Sequence, residues 1–437
     1  MPDHASSTDP SVQRQLDRLW ALSPGADILG LERIADLLAR IGNPHEHLPP
    51  VLHVAGTNGK GSTCAFLRAA IGAAGYKTHV YSSPHLVRFN ERIRLAGTLI
   101  DDAQLAPLLE EVLDAGGDIG ASFFEVTTAV AFLAFSRTPA DACIVEVGLG
   151  GRLDATNVIA EPIVTGIAQL GIDHERFLGS DIEGIAAEKA GIAKPHVPLV
   201  TMRYPAKIEA RIASVARTAG APIAAEGGHW FWSADETHVT YRDAAGRVVT
   251  PLPHLAGSHQ QANLALAIAM LRHQRVLTIP PEAYVAAAEH ATWPARLQRL
   301  GPGPLTAKLP GRTVLIDGGH NADAAQAIAA SLAGSAPIDM VFGLMSTRKI
   351  ADVLGPLAPL VRVAHAVPLI GHEHHDPRDI AAFAQAHAMP RHCYPAFSLG
   401  EAIDRLAANG EGAPTVLIAG SLYLAGEALA ANDELPS

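Results

Sequence analysis

The sequence predicts an α/β fold in two domains, a large one and a smaller one, each built on a mostly parallel sheet. Three observations carry that prediction. Short apolar runs alternate with helical periodicity along most of the 437 residues, the pattern of strands joined by crossover helices. One early run, Val51-Leu52-His53-Val54-Ala55, breaks into Gly56, Gly59 and Gly61 just before a helical pattern at Cys64-Ala65-Phe66-Leu67. A cluster, Gly301-Pro302-Gly303-Pro304, then interrupts the alternation, which restarts beyond it.

Taken in order, amphipathic helices are expected at 12–22 and 31–41, joined by Ser23-Pro24-Gly25-Ala26-Asp27. Strands are expected at 51–55, 78–82, 142–147, 163–167 and 197–201, and helices at 63–74, 102–115, 125–137 and 182–191. Residues 229–250 break the rhythm: Trp230-Phe231-Trp232 and Val239-Thr240-Tyr241 flank polar turns, which suggests an antiparallel excursion. A helix follows at 258–273. Past the Pro/Gly cluster, strands are expected near 313–317, 338–343, 361–366 and 415–419. The domains are therefore placed at 1–298 and 299–437.

Composition narrows the function classes. Hydrophobic residues make up 48% and charged ones 18%, which suits a well-buried globular protein. No window approaches the ~18 uninterrupted apolar residues of a membrane span. The first ten residues are polar and lack a basic-then-apolar export pattern. Cys64, Cys143 and Cys393 are odd in number and scattered, so they read as reduced thiols of a cytoplasmic protein. A net charge of -11 argues against general nucleic-acid binding, which needs clustered Lys and Arg.

The glycine-rich turn is the most specific feature. In Gly56-Thr57-Asn58-Gly59-Lys60-Gly61-Ser62-Thr63 a strand, a tight turn and a helix start present backbone N–H groups and a positive dipole end to a phosphate. Lys60 adds a mobile charge, and Ser62 or Thr63 offers a hydroxyl to a phosphate-bound Mg²⁺. The spacing is not that of the common P-loop, because Val54 stands six before Lys60 and Gly61 separates lysine from hydroxyl. Further polar groups are expected at the carboxyl ends of neighbouring strands, where α/β sheets gather ligands. Ser83 and Arg92 follow the second strand, as an oxygen donor to Mg²⁺ and a carboxylate-binding fork. Glu146 ends the apolar run Cys143-Ile144-Val145, the place for a metal-positioning carboxylate. The glycines of Gly148-Leu149-Gly150-Gly151 allow close backbone approach, with Arg152 and Asp154 as polar contacts. Asp173-His174 offers carboxylate and imidazole at the same edge, whereas Lys189 reads by itself as an exposed lysine. His259-Gln260-Gln261-Ala262-Asn263 carries amides suited to a purine edge, Arg296 sits at the linker, and Asp317 ends a strand where acids bind ribose. His372-Glu373-His374-His375-Asp376 lacks the helical pairing of a metal motif and reads as a solvated loop.

Together these segments resemble the dihydrofolate synthase/folylpolyglutamate synthase family, relatives of the Mur-type amide ligases. The matching pieces run in order along most of the chain: Gly56 to Ser62, Ser82-Ser83-Pro84-His85-Leu86 with Arg88-Phe89-Asn90-Glu91-Arg92, and Glu146 to Asn157. Asp173-His174, Glu188-Lys189-Ala190-Gly191-Ile192, His259-Gln260 with Asn263, and Asp317-Gly318-Gly319-His320-Asn321 match as well. The resemblance implies a P-loop ATPase domain and a smaller Rossmann-like C-terminal domain. It implies that Ser83 and Glu146, with Ser62, serve one Mg²⁺ and His174 a second, and that Lys189 carries a carbamate as an anionic ligand. Thr57 to Thr63 would hold ATP, with Asn263, Arg296 and Asp317 at adenine, phosphate and ribose. Arg92, His320 and Ser421 would meet the incoming glutamate. Asp27-Ile28-Leu29-Gly30-Leu31-Glu32-Arg33, Ser122-Phe123-Phe124-Glu125 and Leu153-Asp154-Ala155 would form the pterin pocket. Two departures stand out: Pro294-Ala295-Arg296 replaces a usual Pro-Gly-Arg, and Met345-Ser346-Thr347-Arg348-Lys349 replaces a more acidic segment with a Lys-Asp pair.

The expected reaction is ATP-dependent ligation of L-glutamate to dihydropteroate and to tetrahydrofolate through an acyl phosphate, by a cytoplasmic monomer with no membrane or nucleic-acid partner. Lys60, Arg296 and two Mg²⁺ would neutralise the transferring phosphoryl group, and Lys60, Lys189, His320 and Arg92 are the expected catalytic set. Domain closure would exclude water from the acyl phosphate. The alternatives are a mono-functional folylpolyglutamate synthase, a Mur-type peptide ligase and a non-enzymatic nucleotide switch.

Overall fold

The structure, a computed structural model, describes residues 6–22, 29–335, 337–390, 392–408 and 412–437. The turn expected at 23–27 and the pterin-pocket positions Asp27 and Ile28 lie outside the described residues. The chain divides into two compact units, Met1–His254 with Gln260–Thr292, and Leu255–His259 with Trp293–Ser437.

In the first unit, helices α1 (Pro10–Leu22) and α2 (Glu32–Arg40) precede strand β1 (Val51–Ala55), helix α3 (Lys60–Ala73) and strand β2 (Thr78–Tyr81). The short strands β3 (Ile93–Leu95) and β4 (Thr98–Leu99) follow, then α4 (Asp102–Gly116), α5 (Phe123–Arg137) and β5 (Ala142–Glu146). Next come β6 (Val164–Ile167), α6 (Glu175–Leu178), α7 (Ile182–Ala190), β7 (Leu199–Thr201), α8 (Ala206–Ala219) and β8 (Ile223–Ala225). The unit closes with β9 (Trp230–Ala234), β10 (His238–Asp243), β11 (Gly246–Pro251), α9 (His259–His273) and α10 (Pro281–His290). Eight strands form one sheet in the order β4-β3-β2-β5-β1-β6-β7-β8, parallel except at β3 and β4. Strands β9 to β11 form the expected antiparallel excursion, with Trp230 stacked on Tyr241 in its buried face.

Several boundaries differ from expectation for visible reasons. Helix α3 starts at Lys60, earlier than expected, because the glycine turn itself supplies its first turn, with Gly59 as N-cap at φ +83°. Helix α5 starts at Phe123, since Ser122 accepts from the Glu125 N–H and Glu125 accepts from the Ser122 N–H, a reciprocal capping box. Strand β2 ends at Tyr81, where the Ser82 N–H turns to the Arg92 carbonyl. The β3–β4 ribbon was not expected: its strands are too short to show alternation, and Ala96 and Gly97 turn the chain at positive φ.

The second unit contains β12 (Gln298–Arg299), β13 (Thr313–Ile316), α11 (Ala322–Leu332), β14 (Ile338–Phe342), α12 (Ile350–Leu357) and β15 (Val361–Ala366). It ends with α13 (Pro377–His387), β16 (Cys393–Pro395), α14 (Leu399–Ala408), β17 (Thr415–Ala419) and α15 (Leu422–Ala431). Its sheet runs β12-β13-β17-β14-β15-β16, parallel except for β12. The Pro/Gly cluster lies inside this unit and is packed down. The Gly301 N–H donates to Glu434 Oε2 at 2.9 Å, and a Cβ on Gly303 would come within 2.2 Å of the Asn432 carbonyl. The division therefore falls at Thr292/Trp293.

One ion cluster secures this second sheet. Asp339 on β14 is fully buried and accepts from the Arg312 and Arg362 guanidinium groups and from the Ala413 N–H. Removing the acid leaves Arg312, itself largely buried, without its counter-charge. Asp339→Ala is expected to destabilise the second unit by about 3 kcal/mol. Urea unfolding followed by a probe in that unit checks this, and an unchanged midpoint would refute it.

Candidate active site

Strand β1 is the sheet's centre, paired to β5 on one side and β6 on the other, with Val54 opposite both Glu146 and Gly166. The chain leaves it through Gly56, whose bare Cα lets Ala168 pack so close that a Cβ would meet it at 2.9 Å. Two of the N–H groups expected to face a phosphate are used otherwise: those of Thr57 and Asn58 both donate to the Gln169 carbonyl, at 2.8 and 3.1 Å. Thr57 Oγ1 also donates to the Gly171 carbonyl at 2.9 Å. The turn is thus pinned to the segment after β6. What remains for an anion is the first turn of α3, where Lys60, Gly61 and Ser62 open the helix with N–H groups that have no acceptor within it. The two candidate hydroxyls differ in geometry. Thr63 Oγ1 donates to the Gly59 carbonyl at 2.9 Å, whereas Ser62 makes no such bond.

Two amines converge on one carbonyl. Lys60 Nζ donates to Gly56 O at 3.1 Å and Thr57 O at 3.3 Å, and Lys189 Nζ donates to Gly56 O at 3.0 Å. Lys189 is 4% exposed, so the surface-lysine reading of the sequence is corrected. Burial first, then the Lys60 charge, push its amine down to about 7, against the pull of Asp173 and Asp154. Helix α7 holds Lys189 there, capped by Asp181, which accepts from the Glu183 and Gly184 N–H groups. The glycines after Glu146 serve this docking. A Cβ on Gly151 would lie 2.7 Å from the Glu188 carbonyl, and one on Gly191 would strike Arg152 at 2.4 Å. Gly148 likewise admits the Phe124 ring, 2.4 Å from where a Cβ would sit. The close approach these glycines allow is made by the chain itself.

Glu146 is buried at the end of β5 beside the first turn of α3, and it joins burial in pushing the Cys64 thiol well above its ordinary value. Ser83 is half-buried beyond β2. Asp173 is buried, with its carboxylate 3.9 Å from His174 Nε2 and 2.6 Å from the His174 N–H, while the His174 ring is 40% exposed. Among the described residues no group of three or more His, Cys, Asp or Glu side chains could hold a metal ion. The expected donors are mostly hydroxyl and carboxylate oxygens, which suits a hard divalent cation.

The pterin-side segments are brought together in the first unit. Trp20 stacks on Phe123 at 5.1 Å, Phe124 tilts against Tyr81 at 5.9 Å, and Leu31 and Phe124 pack on the same core. Gly30 and Glu32 flank Leu31, with Glu32 Oε2 folded back over the Gly30 Cα. Ser122 and Glu125 are committed to the α5 cap, and Glu125 also accepts from Arg33 Nε at 3.1 Å. Leu153 is half-buried, and Asp154 and Ala155 are buried. Arg92 is 1% exposed. Its guanidinium lies over Phe89 and Phe123, 5.7 and 5.3 Å from their centroids, and its Nε donates to His85 Nδ1 at 2.9 Å. Arg92, expected as a carboxylate fork, is thus packed against two aromatic rings and a histidine.

Asn263 on α9 donates to Gln260 Oε1 at 3.0 Å, with its own Oδ1 2.4 Å from where a Gly59 Cβ would be. In the second unit, Asp317 accepts from the Leu297 N–H at 2.8 Å and the Gly319 N–H at 2.7 Å. Burial raises its carboxyl, against the nearby Arg296 charge. Arg296 Nη1 donates to the Ala295 carbonyl at 2.9 Å, and both its neighbours are left-handed, Ala295 at φ +56° and Leu297 at φ +44°. The alanine noted as a departure thus occupies a backbone position that favours glycine. His320 Nδ1 donates to the Gly318 carbonyl at 2.9 Å, and buried Ser421 caps α15 by accepting from the Tyr423 N–H. They stand at the carboxyl ends of the adjacent strands β13 and β17. The histidine-rich loop is not free: Met345 bridges His374, His375 Nε2 donates to the Arg348 carbonyl at 2.7 Å, and His372 stacks on Tyr423 at 3.5 Å. Sequence reasoning missed His53 and Thr156, fully buried and 2.8 Å apart; the signal was a polar ring inside an otherwise apolar strand.

Residues 298–422 match the family of the Mur ligase, glutamate ligase domain. The dihydrofolate synthase/folylpolyglutamate synthase of Escherichia coli is 34% identical over 402 residues, covering 90% of this chain and 89% of that one. Escherichia coli FolC in complex with DHPP and ADP superposes with a TM-score of 0.87 at 31% identity, covering 99% of each chain. A bifunctional folylpolyglutamate synthase/dihydrofolate synthase with Mn, AMPPNP and L-glutamate bound superposes with a TM-score of 0.83 at 29% identity, covering 98% of this chain and 99% of that one.

The left-handed Gly59 gives a direct test of the phosphate loop. Alanine there meets both a backbone cost of ~1–2 kcal/mol and the Asn263 amide. Gly59→Ala is expected to weaken ADP binding in calorimetry by roughly tenfold, the equivalent of that cost. Unchanged affinity would remove the loop from the nucleotide site.

Proposed function

We infer the chemistry of this chain from its family: it belongs to the dihydrofolate synthase/folylpolyglutamate synthase family. It is an ATP-dependent ligase that joins L-glutamate to dihydropteroate and to tetrahydrofolate. The observation that carries the site assignment is the pair of amines, Lys60 and Lys189, on the Gly56 carbonyl beside the first turn of α3.

A carboxylate is a poor acyl donor because its carbonyl carbon is shielded by negative charge. Its oxygen therefore attacks the γ-phosphoryl group first, giving an acyl phosphate and ADP. The glutamate amine then attacks the acyl carbon, and phosphate leaves from the tetrahedral intermediate. The residues of this chain position the reactants and balance charge, which is where most catalysis of phosphoryl transfer lies. The N–H groups of Lys60, Gly61 and Ser62 receive the phosphates, and Lys60 moves from its carbonyl partners to the transferred group. Ser62, Ser83 and Glu146 would hold one divalent cation, with His174 and Lys189 serving a second; such ions, when bound, supply positive charge to the phosphoryl oxygens. Asn263, Arg296 and Asp317 are assigned to adenine, phosphate and ribose, and His320 and Ser421 to glutamate. Leu31, Phe124 and the backbone of 153–155 line the pterin side. Arg92 acts from beneath this pocket by supporting Phe123. The working form is taken as a cytoplasmic monomer; no described helix is long and apolar enough to cross a membrane.

Lys189 is assigned a carbamate. Its amine, held near 7, is mostly neutral above that pH, and only a neutral amine adds to carbon dioxide. Lys189→Ala is expected to lower turnover on the order of a hundredfold, with partial rescue by acetate or formate. In ¹³C NMR the wild type in labelled bicarbonate should show a carbamate carbon at pH 8 that fades as pH falls through 7. Full activity of the variant would refute the assignment.

The substrate reading is tested by ADP release from ATP, glutamate and either pterin. Release with both dihydropteroate and tetrahydrofolate is expected. Release with tetrahydrofolate alone would leave a mono-functional synthase, and release with neither would overturn the folate assignment.

A further inference from the structure

We propose that His53 is a positioning residue, acting through Thr156 and Asp154 to fix the 148–156 loop against the phosphate-binding strand. The proposal rests on the folate-ligase reading only for the identity of the substrate it affects.

His53 stands in the middle of β1, the central strand, with no exposed surface. Any aliphatic side chain would fill that place at lower cost, since a buried imidazole must give up its hydration. Burial, with some help from the Lys194 charge, pushes its ring down to about 3, so it is neutral at any working pH. Its Nε2 lies 2.8 Å from Thr156 Oγ1, and that hydroxyl lies 2.5 Å from Asp154 Oδ1. A carboxylate only accepts, so Thr156 spends its single proton on Asp154 and must accept from His53. Nε2 therefore carries the ring proton. The bare Nδ1 is consistent with this, having no partner among the described residues.

The far end of this chain of hydrogen bonds is a clamp. Asp154 Oδ1 also accepts from the Thr156 N–H at 3.0 Å, and Oδ2 accepts from the Leu149 N–H at 2.8 Å. One carboxylate thus ties both ends of the loop that runs from the metal-side acid Glu146 to the pterin-side residues Leu153 and Ala155. Three hydrogen bonds from the loop reach it, so Asp154 also shapes the pterin side through the backbone it holds. The same loop docks α7, through the Arg152 N–H to the Glu188 carbonyl at 2.8 Å and Asn157 Nδ2 to the Gly191 carbonyl at 3.1 Å. His53 is three residues from Gly56, so the relay locks the pterin-side loop to the strand that delivers the phosphate loop. Its chemical consequence is the alignment of the acceptor carboxylate with the γ-phosphoryl group.

His53→Leu and Thr156→Val remove the relay while keeping side-chain volume; His53→Gln and Thr156→Ser keep a donor or hydroxyl in place. The relay predicts a KM for dihydropteroate raised about tenfold in the first pair, the scale of lost outer-shell contacts. The KM for ATP should stay within about twofold, the second pair should resemble wild type, and the double variant His53→Leu/Thr156→Val should be no worse than either single. Equal shifts in both KM values, or a His53→Gln variant as impaired as His53→Leu, would reduce His53 to a packing residue. Wild-type KM for the pterin is measured first, so an inactive wild type reports on the substrate assignment and not on the relay. Should His53→Leu fail to fold, Thr156→Val against Thr156→Ser decides alone.

Discussion

On the Gly56 carbonyl oxygen the glycine-rich turn and helix α7 of the first unit converge. That oxygen accepts from Lys60 and from Lys189, and two ammonium groups on one acceptor repel each other. Burial first, and this repulsion second, hold the buried Lys189 amine down near 7. Everything around this point serves that arrangement. Asp181 caps the helix that delivers Lys189, Gly151 and Gly191 let that helix come close, and Gln169 and Gly171 anchor the turn that delivers Lys60.

Much of this was legible in the sequence, because it is local. The break from apolar strand to glycine turn to helix fixes where Lys60 sits, and strand ends announce Glu146, Asp173 and Asp317. Four strands of the second unit's six-stranded sheet follow from apolar runs, while the short β12 and β16 do not show in the sequence. Side-chain partnerships were harder to read, since they depend on residues distant in sequence. Lys189 looks exposed until Gly56, 133 positions away, is placed against it. Nothing local in the sequence shows that Phe123 lies beneath the Arg92 guanidinium.

Glycines misled in an instructive way. At 148 and 151 they were read as room for a ligand, yet each makes room for a neighbouring element, a phenylalanine ring and a helix carbonyl, and Gly191 does the same for an arginine stem. The Pro/Gly cluster at 301–304 misled for a related reason. Its composition is that of a linker, but Glu434 and Asn432 at the far end of the chain hold it down, so composition by itself could not separate a hinge from a packed turn.

The linker arginine carries a last consequence. Ala295 and Leu297 both sit in the left-handed region, a conformation that costs an L-residue ~1–2 kcal/mol relative to its usual wells. That cost is met when the second unit folds, by the Leu297 N–H on Asp317 and the Gly318 N–H on Ala295. The Arg296 backbone therefore has few conformations left to lose when an anion arrives. Its entropy is spent in advance, so under the phosphate assignment proposed for Arg296 this turn would trade stability of the free protein for affinity.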